Sequence, residues 1–150
     1  MSEQGLEVLD ATYQKTQEWI GSLAETSHLE KGDAYKALRA VLMTLRDRLP
    51  MLEAVHFGAQ LPLLLRGLYY DGWKPSQTPV KMSREEFLKA VGEKIVTDRF
   101  LDPMRMTHDV LSLFERFLSP GEMEKIKQIL PKDLQTLWPA ESTLSEAAPR

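Results

Sequence analysis

Glu53 and His56 are the two side chains whose types and spacing most suggest chemistry. A Glu-x-x-His sequence places both side chains on one face of a helix, and di-iron carboxylate bundles use two such motifs to hold their metals. The corresponding place in the second half of this chain has Glu122 and Lys125, so lysine stands where a second histidine would be needed. The motif is therefore interpreted as a partly exposed helical pair, with no bound metal and no cofactor expected.

Catalysis by a side-chain nucleophile finds little support in the sequence. The chain has no cysteine, and it contains neither a Gly-x-Ser-x-Gly elbow nor the glycine-rich loops that hold nucleotide phosphates. Its three histidines, His28, His56 and His108, lie in three separate segments. No catalytic motif is found, which favours a protein that is not an enzyme and leaves the question open.

Aromatic and charged side chains crowd into the segment from Arg66 to Trp73, which also holds Tyr69, Tyr70 and Asp71. Aromatic and arginine side chains dominate protein interfaces, so the segment is a candidate binding site. A structural role is favoured for Tyr69 and Trp73, whose rings would be buried against the second half of the chain. The candidate binding residues are His56, Gln60, Arg66, Tyr70 and Asp71.

Two classes of function remain open at this point. The favoured one is a non-enzymatic interaction or adaptor protein, which would bind a protein partner or associate with itself. The alternative is a helical bundle that binds a small molecule, or acts on one, in a pocket between its two halves. That pocket would be lined by His56, Gln60, Arg66 and Tyr70.

Apolar spacing and prolines predict four helices in the first half of the chain. The first carries a stripe, predicted to face the core, in which Leu9, Tyr13, Thr16, Ile20 and Leu23 recur in steps of three and four. Leu6 and Trp19 widen the same stripe. Asp33 is predicted to cap the second helix, and Pro50 to end it. Pro62 separates a third helix from a short fourth one that ends near Tyr70.

A proline-containing linker over residues 73–82 is predicted to be extended. Ser83 and Glu86 then form a capping box that starts a second set of helices. Asp102 and Ser119, each followed by proline, are predicted to cap two more helices. Pro131 precedes a last short helix, and residues 139–150 are predicted to be a disordered tail.

The second set of helices repeats the first at a shift of 69 positions. Eight identical pairs fall between residues 39–69 and their copy: Val41/Val110, Leu42/Leu111, Leu49/Leu118, Glu53/Glu122, Leu61/Leu130, Pro62/Pro131, Leu65/Leu134 and Leu68/Leu137. These positions are mainly apolar, which indicates a duplicated packing scheme. The predicted fold is all-α, with two tandem helical units, residues 1–72 and 83–138, each long-long-short-short and packed together as one bundle-like domain.

The charge pattern and hydropathy narrow the expected partners and location. The net charge is −3, and 19 basic and 22 acidic residues are spread through both halves, which disfavours nucleic acid as a partner. We expect no secretory signal in the first ten residues, and no apolar run approaches the roughly 20 residues that span a bilayer. We expect no membrane partner and a cytoplasmic location, which also suits a chain without cysteine.

The run from Leu49 to Pro75 resembles a bacterial family filed only as a domain of unknown function (number 2267). The segments Ser119–Glu122 and Leu130–Trp138 look like the second repeat of that family, and the likeness extends from about Tyr13 to Trp138. The resemblance implies an all-helical bacterial protein of the cytoplasm. It brings no activity, cofactor or catalytic residue, so it leaves the function open.

Overall fold

The computed structural model describes residues 6–138, which form eight α-helices, one short 3-10 turn at Pro75–Gln77 and no strand. The helices are α1 (Leu6–Ser27), α2 (Lys31–Arg48), α3 (Met51–Ala59), α4 (Leu63–Tyr70), α5 (Arg84–Lys94), α6 (Pro103–Phe117), α7 (Pro120–Ile129) and α8 (Lys132–Gln135). The all-α prediction is confirmed. The tail predicted for residues 139–150 lies outside the described residues.

Three helices begin at the capping residues that the sequence predicts. The Ser83 hydroxyl accepts the backbone N–H of Glu86 at 3.1 Å, and the Glu86 carboxylate accepts the N–H of Ser83 at 2.8 Å. The pKa of Glu86 lies below its usual range, because hydrogen bonding from the backbone N–H of Ser83, and next from its hydroxyl, favours the carboxylate. The side chains of Asp102 and Ser119 likewise accept backbone N–H groups at the starts of α6 and α7.

The start of α2 differs from the prediction that Asp33 caps it, which is wrong. The helix begins at Lys31, three residues before the start that a cap at Asp33 would give, and Glu30 is its N-cap without a side-chain cap bond. The reason is that α1 ends abruptly at His28, whose φ of 56° reverses the chain within a residue or two. Asp33 therefore lies inside the first turn, where its carboxylate accepts the Thr97 hydroxyl at 3.0 Å.

One hydrophobic core contains residues from both halves of the chain. A row of aromatic rings runs through it, with centroid distances of 6.2 Å from Trp19 to Phe114, 5.2 Å from Phe114 to Phe57 and 5.7 Å from Phe57 to Tyr69. These rings join α1, α6, α3 and α4. Fully burying a side chain of this kind contributes about 1.5–3 kcal/mol relative to leaving it in water. The two halves are therefore packed together as one domain.

Buried polar groups fix the end of α1 against α6. Ser27 is 1% exposed, and its hydroxyl donates to the carboxylate of Asp109 at 2.7 Å. Arg105 donates to the carbonyl oxygen of Ser27 at 2.9 Å and lies 3.7 Å from Asp109. Because buried polar groups are costly without partners, this network sets how α1 meets α6.

The linker is only partly extended, so that prediction is wrong at Pro75–Gln77, where the chain forms a 3-10 turn. Proline at the first position of the turn is the reason, since its fixed φ suits a helical start and it needs no N–H partner there. The N–H of Val80 donates to the carbonyl oxygen of Asp47 at 2.7 Å. This bond attaches the linker to the end of α2.

Several helix ends recur at the spacing of the internal repeat. The helices α2 and α6 end 69 residues apart, and the starts of α3 and α7, and of α4 and α8, are also 69 residues apart. The lengths are 22, 18, 9 and 8 residues in the first half and 11, 15, 10 and 4 in the second. The long-long-short-short pattern thus describes the first half better, because α5 is scarcely longer than α7.

Candidate functional site

The five candidate binding residues lie on the hairpin of α3 and α4. His56 and Gln60 are exposed near the end of α3, and Asp71 is exposed just after α4. Arg66 and Tyr70 are half-buried on α4 itself. The hairpin therefore brings the five into one region. The contacts of Arg66 and Tyr70 show whether these two side chains are free to bind a partner or already bonded within the hairpin.

The guanidinium of Arg66 completes the end of α3. Its Nε donates to the carbonyl oxygen of Gly58 at 3.1 Å, and its Nη2 donates to those of Ala59 at 3.3 Å and Leu61 at 3.1 Å. The last carbonyls of a helix have no partner within the helix, so a positive side chain there satisfies them and offsets the helix dipole. These bonds give Arg66 a structural role.

Tyr69 joins α4 to α3 from inside the core. Its side chain is fully buried, and its hydroxyl donates to the carbonyl oxygen of Ala54 at 2.7 Å. Burial raises the pKa of Tyr69 far above its ordinary value, because the charged phenolate would lose its hydration. The predicted structural role of Tyr69 agrees with this position.

Tyr70 and Trp73 extend the aromatic cluster toward the surface. The Tyr70 ring lies 5.0 Å from that of Tyr69 and 5.4 Å from that of Trp73, and its hydroxyl donates to the Val55 carbonyl oxygen at 3.4 Å. Trp73 was expected to be buried against the second half of the chain. It is instead half-buried, and its ring lies beside that of Tyr70 in the first half.

Arg46, in the last turn of α2, is a site residue that sequence reasoning missed. It is only 5% exposed, and its Nη1 donates to the carbonyl oxygens of Tyr69 and Asp71, each at 2.9 Å. Its Nε pairs with the carboxylate of Asp47 at 2.8 Å. Arginine near a helix end is usually at the surface, so the sequence held no signal that this one is buried.

A cavity of about 90 Å³ lies between the end of α2 and the linker, and its lining includes Arg46, Asp47, Gly72, Lys74, Gln77 and Thr78. None of the residues expected to line a ligand pocket is part of that lining. Small-molecule sites typically measure 300–1,000 Å³, roughly several times this volume. The cavity therefore gives no support to the alternative function.

The Glu53 and His56 pair lies on the outer side of α3, with Glu53 half-buried and His56 exposed. Within residues 6–138, no group of three or more histidine, aspartate and glutamate side chains is placed to hold a metal ion. Glu25 and His28 have the same spacing, which sequence reasoning overlooked. His28 follows the end of α1 with a positive φ, so these two side chains do not share a helical face.

The first turns of α1 carry large apolar side chains in water. Leu6, Leu9 and Tyr13 are 43%, 52% and 57% exposed, and burial along the stripe begins only at Trp19. The prediction that Leu6, Leu9 and Tyr13 face the core is therefore wrong. The physical reason is that the helices packed against α1 bury its stripe only from Trp19 onward. Spacing cannot show which part of a stripe has a neighbour to cover it.

The first turn of α4 lies beside this part of α1. The N–H of Leu64 donates to the Thr12 hydroxyl at 3.2 Å, and Leu63 and Leu64 are themselves about half exposed. Exposed apolar groups of two helices thus lie side by side. We call them the α1–α4 surface, which comprises Leu6, Leu9, Tyr13, Leu63 and Leu64. Sequence reasoning missed this surface because it assigned the α1 residues to the core.

The fold and the α1–α4 surface define an all-helical protein with an exposed apolar face, and within residues 6–138 no helix is both long and apolar enough to cross a bilayer. The family model described as an uncharacterized conserved protein (DUF2267) matches residues 16–137, so the chain belongs to this family. A search among curated proteins found no match. The family match begins at Thr16, and the exposed turns of α1 therefore precede it.

Proposed function

We propose that this chain is a non-enzymatic interaction protein of the cytoplasm and that it binds another protein through the α1–α4 surface. The observation that carries the proposal is the continuity of one stripe, which is buried at Ile20 and Leu23 and exposed at Leu9 and Tyr13. Scattered apolar residues are normal on a protein surface, whereas neighbouring ones mark interaction sites. The absence of cysteine suits a reducing compartment and supports the cytoplasmic part of the proposal.

The free energy of burying apolar side chains favours the binding of a partner at this surface. Burying a leucine or tyrosine side chain against a partner would contribute about 1.5–3 kcal/mol, which the free chain forgoes at Leu9 and Tyr13. The hairpin residues Arg66 and Tyr70 already make hydrogen bonds within α3 and α4. The α1–α4 surface is therefore a better binding site than the hairpin.

Site-specific photo-crosslinking in cells of the native host tests the proposal. A benzophenone amino acid replaces Tyr13 or Leu63, and in a matched control it replaces Phe100, which is 85% exposed but lies outside the surface. We expect one adduct of defined mass at both surface positions and none at the control position. Leu9→Lys, shown by circular dichroism to be folded, should abolish the adduct formed at position 63.

Two outcomes would contradict the proposal. One is the absence of any adduct at positions 13 and 63 in cells that contain the folded chain. The other is an equal yield at positions 13, 63 and 100, because non-specific contact depends on exposure alone.

A further inference from the structure

We draw no further inference here: the strongest candidate, the exposed apolar α1–α4 surface on the first turns of α1 and α4, is the site of the proposed function, and nothing in the structure shows what covers it.

Discussion

Arg66 and Gln135, which are 69 residues apart, make the same hydrogen bond in the two halves of the molecule. Arg66 donates to the carbonyl oxygen of Leu61 at 3.1 Å, and Gln135 donates to that of Leu130 at 2.8 Å. In each case the bond satisfies the last carbonyl before a proline. The shared property is a side-chain donor, and this supports the interpretation of an internal repeat.

The bonds of Arg66 predict a loss of stability when they are removed. Arg66→Ala leaves three carbonyls at the end of α3 without this donor, and we expect the free energy of unfolding to fall by about 1–2 kcal/mol in urea titrations. Arg66→Gln should lose less, since a glutamine makes the bond at position 135. Arg99→Ala, at an exposed ion pair of 3.8 Å, should change stability by less than about 0.5 kcal/mol. Equal losses in Arg66→Ala and Arg99→Ala would contradict the structural role.

Gly58 allows α4 to approach α3 closely, and a methyl group there should be harmful. A Cβ atom at Gly58 would lie 2.5 Å from the hydroxyl oxygen of Tyr70 and 2.9 Å from Cε2 of Tyr69. We expect Gly58→Ala to lower the free energy of unfolding by about 1–3 kcal/mol through this overlap. Gly67→Ala is the control, because nothing lies within 4 Å of a Cβ there. It should raise stability by about 0.5–1 kcal/mol, since alanine favours helix.

Thermal melts of the Gly58→Ala and Gly67→Ala variants also test how α3 and α4 pack in solution. If Gly58→Ala is as stable as Gly67→Ala in thermal melts, the tyrosines of α4 do not pack against α3 as described here. A shift of the two melting temperatures in opposite directions is the expected result.

The burial of Tyr69 predicts how the stability of the fold changes at alkaline pH. Burial raises the pKa of Tyr69 above its ordinary value of 10.0, so the folded chain holds this proton more tightly than the unfolded chain does. The associated stability is fully present below pH 10 and is lost as the pH rises, because the unfolded state then releases the proton. Tyr69→Phe should have a shallower decline in stability above pH 10, measured by urea titrations at several pH values.

At neutral pH the same Tyr69→Phe variant should lose about 1–2 kcal/mol, because the carbonyl oxygen of Ala54 loses a buried donor. Parallel pH curves for Tyr69→Phe and the wild type would mean that another group controls the alkaline decline.

Local signals in the sequence predicted much of the fold. Ser83, Asp102 and Ser119 could be identified as helix starts because a capping bond joins residues only two or three positions apart. The burial of Arg46 could not be predicted, since it depends on the end of α4, more than 20 residues away. The half-burial of Trp73 depends in the same way on how α4 and the linker meet. The burial of both side chains is thus determined by packing between distant parts of the chain, which local sequence patterns do not report.

The α1–α4 surface could not be predicted either, because its exposure also depends on packing between distant residues. Leu9 and Leu23 belong to one stripe at equivalent heptad positions, 14 residues apart, and nothing in their spacing distinguishes them. Leu23 is fully buried, whereas Leu9 is 52% exposed, because α1 extends beyond the helices that cover it. Identical residues on one helix thus have opposite environments.

Leu9→Ala and Leu23→Ala therefore form a matched pair that tests whether the α1–α4 surface is open in the free chain. Both changes introduce the best helix former, so neither costs helix propensity, and both remove the same atoms. Leu23→Ala should lower the free energy of unfolding by about 2–5 kcal/mol, as the loss of a fully buried leucine does. Leu9→Ala should change it by less than about 0.5 kcal/mol, because its side chain is half in water.

Chemical denaturation of the two variants beside the wild type separates the possibilities. A cost at Leu9 that approaches the cost at Leu23 would mean that the first turns of α1 are covered within the free chain. The surface would then be unavailable to a partner, and the proposed function would lose the observation that carries it. If Leu9→Ala is instead as stable as the wild type and loses the crosslinked adduct in cells, the exposed half of the stripe contributes to binding and not to folding. That result is the one we expect, because removing an exposed side chain can weaken only the contacts that it makes with a partner.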